Sequence, residues 1–315
     1  MKIANMYQEL LLKEIRKKIG EKSLNDEIAN ILNISYDAAH RRTSLKSKFS
    51  LEESVNLAKY YNISLDRFIA SDNTVIAKKT KPIRTSTDLL NYFQDALILL
   101  NDFKLNPDTK VYYSAKDIPF FYTISNSVLS KFKLFVWMNL LNEKDFMTPF
   151  SDFHLEKYAD KSADLKTLYE NLNVIEIWNS TTMSSILNQI SFYTEIQLLT
   201  KETAIVILQE LKDLIRNIEK KAKDGSQKFQ IYAYDLLILN NSILFESEEK
   251  SSLFVPFNMF GYMMTDDKST CDDALNFFQH QIKNSTSLNF SGQRDRKKFF
   301  NKMIENIEIL ESSMR

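Results

Sequence analysis

Between His40 and Lys48 the chain places a histidine, two adjacent arginines and two lysines: His40, Arg41, Arg42, Lys46 and Lys48. Guanidinium and ammonium groups at that density suit polyanion binding, in which each cation neutralises a phosphate and releases its counterion. The concentration is local, because the whole chain carries 41 Lys and Arg against 41 Asp and Glu. Residues 1–84 hold 16 basic and 10 acidic side chains, a net of +6 that leaves −6 for the remainder. A basic head on an acidic body is expected to meet a polyanion through the head alone. The competing use of the same charges is a solvated face whose arginines pair with Glu52 and Glu53.

The elements that must position these groups are legible as helices. Met6, Leu10, Leu11, Ile15 and Ile19 fall on one helical face, and Gly20 is placed to end that helix. Ile28, Ala29, Ile31 and Leu32 predict a short second helix capped by Ser23 or Asn25. Asn33 tolerates the left-handed backbone of a tight corner, Ile34 plugs that corner, and Ser35 can cap a third helix from Tyr36 to about Thr43. In "FSLEESVNLAKYYNISLDRFI", Ser50 and Glu53 have capping-box spacing. Val55, Leu57, Ala58 and Tyr61 read as core, and a last turn holds Leu65, Phe68 and Ile69.

This five-helix order resembles the lambda-repressor-like, Xre/Cro family of helix-turn-helix DNA-binding domains over about residues 5–70. The resemblance is carried by Ala29, the Asn33-Ile34-Ser35 corner and "SLEESVNLAKYYNISLDRFI". The chain departs from the family with Asn33 where glycine is usual, Ala39 where a β-branched residue is common, and Arg42 where a buried apolar residue is usual. The resemblance implies that Ser35, Tyr36, Asp37, His40 and Arg41 face a major groove. Arg41 then suits guanine O6 and N7, Tyr36 a thymine methyl or a phosphate, and Asp37 a cytosine N4. Lys46, Lys48 and Arg42 suit the flanking phosphates, and Asn25 a phosphate at the start of the second helix.

Composition narrows the rest. Gly20, Gly225, Gly261 and Gly292 are far apart, so no glycine-clustered phosphate loop, dinucleotide fingerprint or nucleophile elbow can be built. His40, His154 and His280 are isolated from one another, and Cys271 has no disulfide partner. No stretch approaches the roughly 20 apolar residues of a membrane span, and the N-terminus lacks a signal-peptide pattern. The expectation is a cytoplasmic, non-enzymatic bacterial regulator with no cofactor, no metal and no membrane partner.

Residues 71–87, with Pro82 and several lysines, read as a linker. Residues 88–315 read as an α+β body for dimerisation or sensing, helical with a few antiparallel strands and Asn240-Asn241 as a turn. Two helices at about Thr182–Leu199 and Lys201–Lys223 are expected to form a hairpin, in the core or at a homodimer interface. "STCDDALNFFQHQIKNS" is a helix capped by Ser269 or Thr270. Its neighbouring aspartates, Asp266 to Asp273, read as cap and macrodipole chemistry before cation binding. Segments such as "VYYSAKDIPFF" and "RKKFFNKM" look similar to stretches of uncharacterised bacterial regulators bearing the same head, which implies a shared α+β body.

One corner of the body invites an anion. Ser291 and Gly292 precede a helix whose first turn holds Arg294, Arg296 and Lys297, an arrangement that can receive a small anionic effector. The plainer use is a solvated helix start opposite Phe299, Phe300 and Met303. The fold expected is α+β, mainly α, and the partners expected are double-stranded DNA and a second copy of the chain. The alternative is a helix-turn-helix protein of a defence or toxin-antitoxin system whose body binds a protein.

Overall fold

The computed structural model describes residues 6–68, 74–104, 106–141, 148–154, 159–225, 228–259, 261–290 and 292–315. The chain is α+β, mainly α, and separates into two units, Met1–Ile76 and Ala77–Arg315.

The head contains α1 (Met6–Ile19), α2 (Leu24–Leu32), α3 (Tyr36–Thr43) and α4 (Leu51–Tyr60). In place of a fifth α-helix there is one 3₁₀ turn, Leu65–Phe68; Ile69 lies outside the described residues. Gly20 follows α1 with φ of 60°, as its position predicts. The cap of α2 is Ser23, not Asn25. The core is Leu11, Ile15, Ile28, Ala39 and Leu57, with Leu12 also buried and Met6 exposed. Of the expected α1 face, Leu11 and Ile15 are buried and Ile19 packs against them, so the face holds except at its Met6 end.

The body begins earlier than expected. The second half of the predicted linker belongs to it: β1 (Lys78–Lys79) pairs with β7 (Tyr262–Thr265), Ile83 is buried, and α5 starts at Ser86 and runs to Lys104. An eight-stranded sheet forms the centre, in the order β1-β7-β6-β5-β2-β3-β4-β8. Strands β2 (Lys110–Ala115), β3 (Asn173–Trp178) and β4 (Phe229–Ala233) run parallel. Strands β5 (Ile243–Glu246), β6 (Ser251–Pro256) and β7 extend the β2 side antiparallel, and β8 (Thr286–Ser287) flanks β4. The sheet is thus mixed. Asn240-Asn241 does not turn one strand back on its neighbour, because residues 234–242 carry the chain from β4 past β3 and β2 to β5. Parallel neighbours require crossovers. Here α6 (Val128–Leu141) and α7 (Ala159–Asn171) lead from β2 to β3, and α8 (Ser184–Glu195) and α9 (Lys201–Lys223) from β3 to β4.

Alternation along the strands sends Val111, Tyr113, Phe245 and Phe254 to one face and Tyr112, Leu244 and Leu253 to the other. The first face carries the main core, built with the crossover helices and α11 (Gln293–Met314). Helix α9 packs chiefly along α11 and α6, where Lys212 meets Glu311 at 2.7 Å. Its apolar face, Ile207, Leu208, Leu211, Ile215 and Ile218, is buried in this chain's own core. Of the two places expected for this stripe, the core is the one it occupies. The second face is covered among the described residues by α10 (Lys268–Lys283) and the 234–242 crossover. The cap of α10 is Asp267, whose carboxylate accepts from the Thr270 N–H at 2.9 Å, so Ser269 and Thr270 lie inside the helix.

Candidate nucleic-acid interface

Helix α3 is held from both ends by local chemistry. Asn33 has φ of 52°, and the Ile34 N–H reaches back to the Ala29 carbonyl at 3.0 Å, closing α2. Ser35 caps α3, its Oγ accepting from the Ala38 N–H. Ala39 is wholly buried, and its small side chain lets α3 lie close over the head core.

The two arginines at the end of α3 have different surroundings. Arg42 donates from Nε and Nη2 to the two carboxylate oxygens of Glu53 at 3.0 and 2.7 Å, and from Nη1 to the Ala38 carbonyl. Glu53 also completes the capping box of α4 by accepting from the Ser50 N–H. Burial works to raise the Glu53 carboxyl, but the Arg42 and Ser50 hydrogen bonds and the Arg42 charge outweigh it and hold it below the ordinary value. Arg42 thus ties α3 to α4, as the competing reading of these charges allowed, and is not free for a phosphate. The Arg41 side chain is exposed, with no protein partner among the described residues.

Asn25 is also committed within the head. Its Oδ1 accepts from Thr43 Oγ1, and its Nδ2 donates to the Tyr36 hydroxyl at 3.1 Å and lies 3.4 Å from His40 Nδ1. The Tyr36 and His40 rings lie parallel, 6.5 Å apart. One amide therefore links the start of α2 to both ends of α3. Ser35, Tyr36, Asp37, His40 and Arg41 are all exposed, and Lys46 and Lys48 follow on the same connection.

A residue that sequence reasoning missed positions those lysines. Gln8 on α1 donates to the carbonyls of Arg42 and Ser47 at 2.8 and 3.0 Å and accepts from the Phe49 N–H at 3.0 Å. Its nearest bonded partner is 34 residues away, so no local pattern marks it. The basic surface of α1 was missed too. Lys13, Arg16 and Lys17 border a groove with Thr43 and Leu45, and their i, i+3, i+4 spacing was the available signal.

The predicted charge asymmetry shrinks at the observed boundary. Residues 1–76 hold 12 basic and 10 acidic side chains, a net of +2, because Lys78, Lys79, Lys81 and Arg84 belong to the body. The head's positive charge is a local face, not an overall excess.

The anion corner of the body is not assembled as expected. Ser291 lies outside the described residues. Gly292 is the N-cap of α11 without a side-chain cap, Arg294 and Lys297 are exposed, and Asp295 shares their turn. Arg296 is buried and donates to the Leu288 carbonyl at 3.3 Å. Among the described residues, Arg296 turns inward, away from the exposed Arg294 and Lys297. Among the described residues no cluster of His, Cys, Asp and Glu is arranged to hold a metal ion. No helix there is long and apolar enough to cross a membrane.

Two helices joined by an Asn33 corner, the second capped, exposed and basic at its end, define a helix-turn-helix head. The family profile described as the BetR domain matches residues 4–101, so the N-terminal region carries a helix-turn-helix-like regulator domain. The match runs beyond the head through β1 and most of α5. No curated protein and no solved structure matches the chain.

Proposed function

We propose that this protein is a sequence-specific, Xre-type transcription regulator whose α3 enters the major groove of duplex DNA. The observation that carries the reading is the division between the arginines: Arg42 builds the head, while Arg41 is left exposed beside Ser35, Tyr36 and Asp37. Arg41 reads a guanine, and Lys46, Lys48 and the α1 face of Lys13 and Arg16 follow phosphates. Asn25 contributes through the main chain at the α2 N-terminus, since its amide is committed. One short recognition helix covers few base pairs, so two copies act on half-sites about one helical turn apart. The body joins them and adjusts DNA affinity without performing catalysis.

The test is selection of bound sequences from random duplex by the full chain, followed by anisotropy titrations at two salt concentrations. A shared motif with two half-sites is expected, together with an affinity that falls steeply with salt. Recovery of no motif, with Arg41→Ala binding as wild type does, sinks the proposal.

A further inference from the structure

The body's second sheet face is thinly covered, and a cleft of about 300 Å³ opens there. Its walls come from four places: Ser114 near the end of β2, Leu237 and Leu239 on the crossover, Val255 on β6, and Ala274 and Phe277 on α10. Gln281 also lines it, 1% exposed, with a side-chain Oε1 that has no hydrogen-bond partner among the described residues. An unpaired buried amide oxygen is costly, by about 1–3 kcal/mol.

Two further observations bear on this place. The cleft lies beside the end of β2, where parallel pairing with β3 on one side meets antiparallel pairing with β5 on the other. Open α/β sheets commonly receive ligands outside the carboxyl ends of their parallel strands. The rim is also built in advance. Ile238 is wholly buried, the Asn179 amide donates to the Leu236 carbonyl, and the Asp117 N–H donates to Asn241 Oδ1. This anchoring leaves Leu237 and Leu239 on either side of Ile238 at 67% and 74% exposure, facing Phe277 at 56%.

We infer that this cleft binds a small, neutral, largely apolar molecule carrying one N–H or O–H donor, which the Gln281 amide oxygen accepts. The volume is at the lower end of ligand pockets, which suits a one- or two-ring compound. The inference rests on the regulatory reading for its purpose, since it gives the body a ligand class, but not for its chemistry.

The full chain is titrated by NMR and thermal shift, without DNA, against indole and naphthol and their donor-free counterparts indene and naphthalene. Each donor-bearing probe is expected to bind about tenfold more tightly than its counterpart, the worth of one net hydrogen bond. Gln281→Leu should remove that difference, and Ala274→Phe, which fills the cleft, should abolish binding of all four. Absence of binding, equal affinities within each pair, or a difference that persists in Gln281→Leu overturns the inference. So does a dimer that Leu239→Ser dissolves, because the cleft would then be the seat of a second copy. Loss of DNA binding would leave this result untouched, and failure of the probes would leave the DNA reading standing.

Discussion

In the head, Arg41 and Arg42 are chain neighbours with opposite surroundings, one exposed and one gripped by Glu53. In the body, several of the most informative charges are inside. Lys133 is wholly buried, paired with Asp117 at 2.8 Å, and its Nζ lies 5.0 Å from the centroid of the Trp137 ring. Glu176 is wholly buried on β3 and accepts from Tyr122, Tyr169 and Trp178 at 2.7 to 2.8 Å. Glu210 accepts from the Val128 and Leu129 N–H groups at the start of α6. The head thus leaves most of its charge exposed, whereas the body uses these groups as internal fastenings. A count of charges in sequence reports function only where the charges remain outside.

The largest test of that contrast is Lys133→Ala. It leaves Asp117 without its cation in a nearly closed site, and urea unfolding of the full chain should show a loss of about 3–5 kcal/mol. A loss below 1 kcal/mol would mean that the buried pair is no fastening.

Glu176 gives a pH-dependent version of the same contrast. Burial pushes its carboxyl from 4.5 up to about 7, against hydrogen bonds from Tyr122, Tyr169 and Trp178 and the charge of Lys221. Between these values the folded chain holds a proton that the unfolded chain has released. Its contribution is therefore fully present below about pH 4.5 and is lost as pH rises through 7, about 3 kcal/mol in all. Glu176→Gln should flatten this component when unfolding is compared at pH 5 and pH 8. An unchanged slope would place the titration elsewhere.

The arginine pair comes next. Arg41→Ala should leave the melting temperature nearly unchanged and cost about 1–3 kcal/mol in operator binding, with specificity relaxed at one guanine. Arg42→Ala should instead destabilise the head by about 1–2 kcal/mol, since it breaks a two-pronged, half-buried pair. If the two variants behave alike, the division of labour between these neighbours is wrong. Lys46→Ala should have the smallest effect, weakening all sequences equally and lowering the salt slope by about 1. A change in the preferred sequence would show that Lys46 reads bases.

The head was legible because its signals are local. Ser23, Asn33, Ser35 and the Ser50–Glu53 box each act within a few residues, and backbone stereochemistry leaves them few alternatives. Several of the body's helices were legible for the same reason, since α9 and α11 follow their apolar periods and α6 is apolar nearly all round. What was not legible is set by distant partners. No local pattern reveals that β5 seeks β2, that Arg296 turns inward to Leu288, or that Gln8 holds the turn after α3. Arg41 and Arg42 make the same point, because only the position of Glu53 distinguishes them. Lys78 and Lys79 read as linker because a two-residue edge strand has no period to detect.

The pairing of β2 with β5, in which Lys110 faces Glu246, also bears on the order of events during synthesis. The head's helices close on contacts within its own first unit, and such short-range topologies assemble quickly. The body's sheet must wait until residues beyond 240 have left the ribosome, and the α9–α11 packing until Glu311 has emerged. The nascent chain therefore passes through an interval in which a finished helix-turn-helix head is tethered to an unfinished body. Under the function proposed above, the body's adjustment of DNA affinity begins only when that interval ends. Under that same reading, the time taken to synthesise Ala77–Arg315 sets how long the newborn head can engage DNA unregulated.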